Sequence, residues 1–145
     1  MSNLTKEQEK KLIDTARLNM KKSYSPYSKF KVGVALLAKS GKIYDGTNIE
    51  VVVHRATHAE RLALDSAVMN GEREFIALAV ATDDKNASFS CGQCLQDLTE
   101  FDFDCKGSII IIATNLNGKV RKSTLNKLLP ERFGPANIGM DVKNY

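Results

Sequence analysis

Two short patterns, His58-Ala59-Glu60 and Cys91-Gly92-Gln93-Cys94, constrain this 145-residue chain more than any other feature. Imidazole and thiolate groups are ligands of tetrahedral metal sites and favour zinc over hard cations. Cys91 and Cys94 stand three apart, so on a helix both sulfurs leave from one face and can reach the same ion. His58 supplies a third ligand. Glu60 lies two residues beyond it, about 200° around an ideal helix. That spacing keeps the carboxylate off the metal and leaves it to handle protons. Three protein ligands leave a fourth position open, which separates a catalytic zinc site from a closed structural one.

A closed site would need a fourth protein ligand, and the candidates are His54, four residues before His58, and Cys105. Val51-Val52-Val53-His54 has strand or loop character, which works against two imidazoles sharing a helical face. Cys105 otherwise reads as a small thiol without a role. A C-x-x-C taken alone is equally compatible with a redox pair. Both patterns lie where helices are expected to begin: Thr57 can cap one and Ser90 the other. The positive end of each helix would then favour thiolate, the form that binds metal. Two thiolates and a neutral imidazole balance the charge of Zn²⁺ and leave it a strong Lewis acid.

The rest of the sequence reads as one domain spanning residues 1–145. Hydrophobic content of 43% and charged content of 26% are those of a globular chain. A net charge of +4 is spread among acidic residues without a dense basic block, which excludes a nucleic-acid partner. No stretch approaches the apolar length of a membrane span, and Met1-Ser2-Asn3-Leu4-Thr5-Lys6 has no apolar leader, so a cytoplasmic location is expected. Thr5 and Gln8 form a possible capping box for a helix over about residues 5–22, with Leu12, Ile13, Ala16 and Met20 on its apolar face.

Phe30 to Ala38 and Ile43 to Thr47 read as a hairpin, and a second helix is expected from Thr57 to Asn70-Gly71. Phe75 to Ala81 and Ser108 to Ala113 are apolar runs of the kind buried on both faces of a sheet. A third helix is expected from Cys91 to Glu100, then a turn at Asn117-Gly118 and a short helix from Thr124 to Leu129. Strands alternating with helices predict an α/β fold, a three-layer α-β-α sandwich around a mixed sheet of about five strands.

H-x-E followed by P-C-x-x-C is the signature of zinc deaminases, in which the Glu is the general acid/base. Beyond it, Ser25-Pro26-Tyr27-Ser28-Lys29-Phe30-Lys31-Val32-Gly33, Gly46-Thr47-Asn48-Ile49-Glu50, His58-Ala59-Glu60-Arg61, Cys91-Gly92-Gln93-Cys94-Leu95-Gln96 and Leu128-Leu129-Pro130-Glu131-Arg132-Phe133 resemble, in order, five blocks of the cytidine deaminase family. The resemblance runs from about Tyr24 to Phe133. It implies a zinc-dependent hydrolase of cytidine or deoxycytidine, acting in pyrimidine salvage, with zinc on His58, Cys91 and Cys94 and Glu60 catalytic. It also implies that Phe30 packs against the nucleoside, that Asn48 and Glu50 hold the ribose, and that Phe133 closes a neighbouring subunit's site in a homotetramer.

On composition alone Phe30 and Phe133 could instead be core residues, the lesser of the two readings. Ser90 stands where the pattern has proline, Leu95 where the family has arginine, and Val51 to Thr57 form an atypical, shortened loop beside the expected base pocket. Those departures admit a deaminase of blasticidin S or other modified cytosine nucleosides. A second alternative is a non-catalytic, zinc-stabilised nucleotide-binding protein, although such a protein has no use for Glu60.

Overall fold

The computed structural model describes residues 4–103 and 106–145. Its first helix, α1 (Lys6–Met20), begins at the expected capping box. Thr5 Oγ1 accepts from the Gln8 backbone N–H at 3.1 Å, and Gln8 Oε1 accepts from the Thr5 N–H at 3.0 Å. Next come β1 (Val32–Ala38), β2 (Ile43–Thr47), β3 (Ile49–Val51), β4 (Arg55–Thr57), α2 (Ala59–Met69), β5 (Phe75–Thr82) and α3 (Gly92–Thr99). β6 (Ile110–Thr114), β7 (Val120–Thr124), α4 (Leu125–Leu128) and a 3₁₀ turn at Pro135–Ile138 complete it.

Five strands form one mixed sheet in the order β2-β1-β5-β6-β7. β5 and β6 are parallel, and the other neighbours are antiparallel. Strict alternation along the central strands divides the core between the two faces. Ala35, Leu37, Ala77, Ala79, Ala81 and Ile112 meet Leu12, Ile13, Ala16 and Met20 of α1. Val34, Leu36, Leu78, Val80, Ile111 and Ala113 meet Ala63, Leu64 and Ala67 of α2 and Leu95 and Leu98 of α3. The predicted three-layer α-β-α sandwich is therefore the observed one.

The layers lie close. A Cβ on Gly33 would come within 2.0 Å of the Ala16 carbonyl oxygen, and one on Gly46 within 2.3 Å of the Ala59 carbonyl oxygen. Gly46 thus seats the first turn of α2 directly on β2. Because β5 runs back after α2, the segment beyond Thr82 returns to the sheet end where α2 began. Two helix starts are brought side by side in this way.

Several local expectations need correction. The strand expected from Phe30 begins at Val32, and the first helix ends at Met20. Val51 to Thr57 is not an open loop: β3 and β4 pair as a small antiparallel hairpin, with Glu50 opposite Ala56. Three-residue strands are too short for an alternation signal, so only tertiary context reveals them. Thr57 closes β4, and His58 itself is the N-cap of α2. Likewise Cys91, not Ser90, is the N-cap of α3. Neither cap makes a side-chain capping bond, because both side chains turn toward one another across the helix ends. Cys105 lies outside the described residues.

Candidate active site

His58 and Cys91 have extended backbone at ψ 147° and 163°, which throws their side chains off the helix axes and into the gap between α2 and α3. Cys94 reaches the same gap from the first turn of α3. His58 Nδ1 lies 3.2 Å from Cys94 Sγ and 3.5 Å from Cys91 Sγ, and the two sulfurs are 3.6 Å apart. A tetrahedral zinc, with bonds of about 2.3 Å to sulfur and about 2.0 Å to nitrogen, has S···S edges of about 3.8 Å and N···S edges of about 3.5 Å. The three atoms form one face of such a tetrahedron, and they are the only group of three or more candidate ligands among the described residues. The geometry also selects Nδ1 as the ligating nitrogen, a choice that residue spacing cannot make.

Electrostatics point the same way. Burial pushes the Cys94 thiol far up from its ordinary value, and the Glu60 carboxylate beside it pushes further in the same direction. A half-buried cluster of thiols and a carboxylate is unfavourable when ionised unless a cation sits among them. His54 plays no part in the cluster. It occupies the turn between β3 and β4 at φ 60°, exposed to solvent, so the four-ligand closed site does not form through it. Arg61 is turned outward and pairs with Asp65 at 2.8 Å and Asp97 at 3.4 Å.

The ligands open onto a cavity of about 310 Å³ whose walls include Phe30, Asn48, Glu50, His58, Glu60 and Cys91. Six of the eight residues singled out from the sequence, Phe30 included, are thus brought to one cavity, while Cys94 closes the ligand set from the buried side of α3. Glu60 is buried in the first turn of α2, next to the ligands and not among them. Glu50 is held as an anion: the Tyr27 and Ser28 backbone N–H groups donate to Oε1 at 3.1 and 3.0 Å, and the Ser28 hydroxyl donates to Oε2 at 2.5 Å. These bonds, the Ser28 hydroxyl first, hold its carboxyl below the usual range.

Asn48 is more of a brace than the sequence suggests. Its Oδ1 accepts from the Ser23 hydroxyl at 2.6 Å and the Val32 N–H at 3.0 Å, and its Nδ2 donates to the Phe30 carbonyl at 2.7 Å. One amide N–H is left for a ligand. Asn48 therefore fixes the backbone from the Phe30 carbonyl to the start of β1. Phe133 lies elsewhere, 62% exposed on the outer side of α3, where its carbonyl accepts from Gln96 Nε2 at 2.7 Å. It is neither a core residue nor a wall of this chain's own cavity.

The segment before Cys91 was not singled out for the pocket, yet Ser88, Phe89 and Ser90 all line it. Their adjacency to C-x-x-C was the available signal. Leu95, where an arginine was expected, is buried among core side chains. Among the described residues, no helix is long and apolar enough to cross a membrane.

Comparison with known proteins gives a consistent picture. The family described as the cytidine and deoxycytidylate deaminase zinc-binding region matches residues 6–110. A cytidine deaminase of Sporosarcina psychrophila is 43% identical over 129 residues, covering 88% of this chain and 93% of the relative. One from Halalkalibacterium halodurans is 39% identical over 112 residues, covering 77% and 83%. Among solved structures, the cytidine deaminase of Burkholderia pseudomallei superposes with a TM-score of 0.79 at 37% identity, over 86% of this chain and 98% of that one.

Proposed function

The chain belongs to the cytidine and deoxycytidylate deaminase family that shares this zinc-binding region, and from that premise we propose that it hydrolyses cytidine or deoxycytidine to uridine or deoxyuridine and ammonia. One observation carries the proposal: three ligand atoms with the edge lengths of a zinc tetrahedron stand at the wall of a cavity that is also lined by a buried glutamate outside the ligand set. His58 Nδ1, Cys91 and Cys94 would hold the ion. Zinc bound there supplies the Lewis acidity that activates water near neutral pH.

The remaining work falls to the protein. Glu60 takes one proton from the attacking water and passes it to the ring nitrogen, where it stays, and then carries the second proton from the newly formed hydroxyl to the amino group as it leaves. Water contributes the new carbonyl oxygen, the C–N bond breaks, and the amino nitrogen departs as ammonia. The Phe30 ring packs on the flat nucleoside, and Glu50 accepts hydrogen bonds from the ribose hydroxyls while Asn48 offers its remaining N–H. One domain holds the complete ligand set. Phe133, exposed beside Ile138 and Met140, suits an apolar contact with a second copy, in keeping with a homotetramer whose subunits complete one another's sites. Such an enzyme works in the cytoplasm on salvaged pyrimidine nucleosides.

The test is direct. Zinc-loaded protein converts cytidine to uridine, followed as the loss of cytosine absorbance, and Glu60→Ala abolishes turnover while zinc content stays at the wild-type level. Normal turnover by that variant would remove Glu60 from the mechanism.

A further inference from the structure

Among the described residues, two buried side-chain polar atoms have no hydrogen-bond partner, Arg132 Nε and Ser90 Oγ. Arg132 Nε belongs to a guanidinium whose other nitrogens are engaged by Asp102 and Asn126. Ser90 has no such excuse. It is 8% exposed, it lines the cavity that contains Glu60 and Cys91, and it immediately precedes a metal-ligand candidate. A buried hydroxyl without a partner is disfavoured relative to a methyl group, so a chain that retains one has a use for it or carries a defect.

The segment that presents Ser90 is held from several sides. Asn115 Nδ2 donates to the Asp84 and Lys85 carbonyls at 3.1 and 3.0 Å. Arg121 Nη1 donates to the Asn86 and Ala87 carbonyls at 3.4 and 3.3 Å, and its guanidinium stacks 4.6 Å from the centre of the Phe89 ring. Ala87 is fully buried at φ 54°, a conformation that a non-glycine residue keeps only where its surroundings impose it. The backbone leading to Ser90 is therefore held in place, and its hydroxyl has no hydrogen bond that an arriving ligand would have to displace. The zinc deaminase signature has proline at this position, a residue that offers neither hydroxyl nor N–H.

We propose that Ser90 is a substrate-contacting residue whose hydroxyl hydrogen-bonds the polar edge of the pyrimidine ring seated between Glu60 and Cys91. This rests on the deaminase reading, and it adds a contact that proline in the same place cannot make. Ligand binding satisfies the hydroxyl that the free protein leaves unpaired.

The experiment compares wild type with Ser90→Ala in three measurements: the Kd of the unreactive product uridine by calorimetry on zinc-loaded protein, the KM for cytidine, and the melting temperature of the nucleoside-free protein. Ser90→Ala is expected to weaken uridine binding and raise KM by about fivefold, the worth of one neutral hydrogen bond. Its zinc content and melting temperature are expected to be equal to or above those of wild type, since it removes an unsatisfied buried hydroxyl. Unchanged Kd and KM in an active enzyme would overturn the inference. So would a lower melting temperature with lost zinc, which marks a purely structural role. A wild-type protein that turns over no pyrimidine nucleoside overturns the deaminase reading along with it.

Discussion

The metal end of the cavity and its outer rim are built on opposite principles. His58, Glu60 and Cys94 stand on the first turns of two helices packed onto the central sheet, with Glu60 and Cys94 buried. The rim is a hairpin of two three-residue strands whose turn exposes Val52, Val53 and His54. Hydrolysis needs a few atoms held to a fraction of an ångström, so that end is placed where the core leaves no freedom. Substrate choice needs only a surface that meets the nucleoside, and a small hairpin can vary without disturbing the core. Asn48 and Glu50 stand where these regimes meet, at the point at which β2 gives way to the hairpin.

Substitutions should break the two ends differently. Glu60→Gln has the largest expected effect on chemistry, a loss of at least about 10³-fold in kcat with zinc retained, measured by steady-state kinetics and metal analysis. At the same end, Cys94→Ala or treatment with a chelator should remove the metal. Activity then falls to background and melting shifts down by several degrees, and added zinc restores the chelated wild type but not the variant.

Asn48→Ala strikes the junction. It removes the Asn48 bonds to the Val32 N–H and the Phe30 carbonyl and one of the two partners of the Ser23 hydroxyl, so about 2–4 kcal/mol of unfolding free energy should be lost in a urea titration, alongside a raised KM. A raised KM with unchanged stability would demote Asn48 from brace to simple ligand.

Glu50→Gln should be milder, weakening uridine binding by about tenfold, the worth of one charge-assisted hydrogen bond. The depressed carboxyl of Glu50 also fixes a sign. Its contribution to stability is present above the unfolded carboxyl value of about 4.3 and is lost only as pH falls through the lower folded value. The Glu50 contribution to uridine binding, read as the wild-type to Glu50→Gln ratio of Kd, should therefore stay flat between about pH 7 and pH 5. The smallest effect belongs to the rim: Val52→Ser should leave unfolding free energy within about 0.5 kcal/mol of wild type. A larger loss would mean that the hairpin is part of the packed structure after all.

Legibility followed the range of the interactions. The strands alternating with helices and the Thr5–Gln8 capping box could be read from neighbours a few positions apart, and the structure reproduces them. The ends of α2 and α3 could not. Thr57 and Ser90 are good capping residues, yet His58 and Cys91 take the caps because their side chains meet across the gap between the helices. Composition left a core position open for Phe133, and its exposure depends on where the chain beyond α4 crosses α3.

The amino-acid sequence by itself determined the chemistry available: two thiolates, an imidazole and a carboxylate in spacings that allow an open metal site, on a chain patterned for a layered α/β core. Only the tertiary structure decided that Nδ1 of His58 faces the sulfurs, that Asn48 is largely consumed in holding Phe30, and that Ser90 is buried without a partner. The physical reason is common to all three. Residue type and spacing act over one or two turns of chain, whereas hydrogen-bond partners and buried surroundings are set by segments that only the folded sheet brings together.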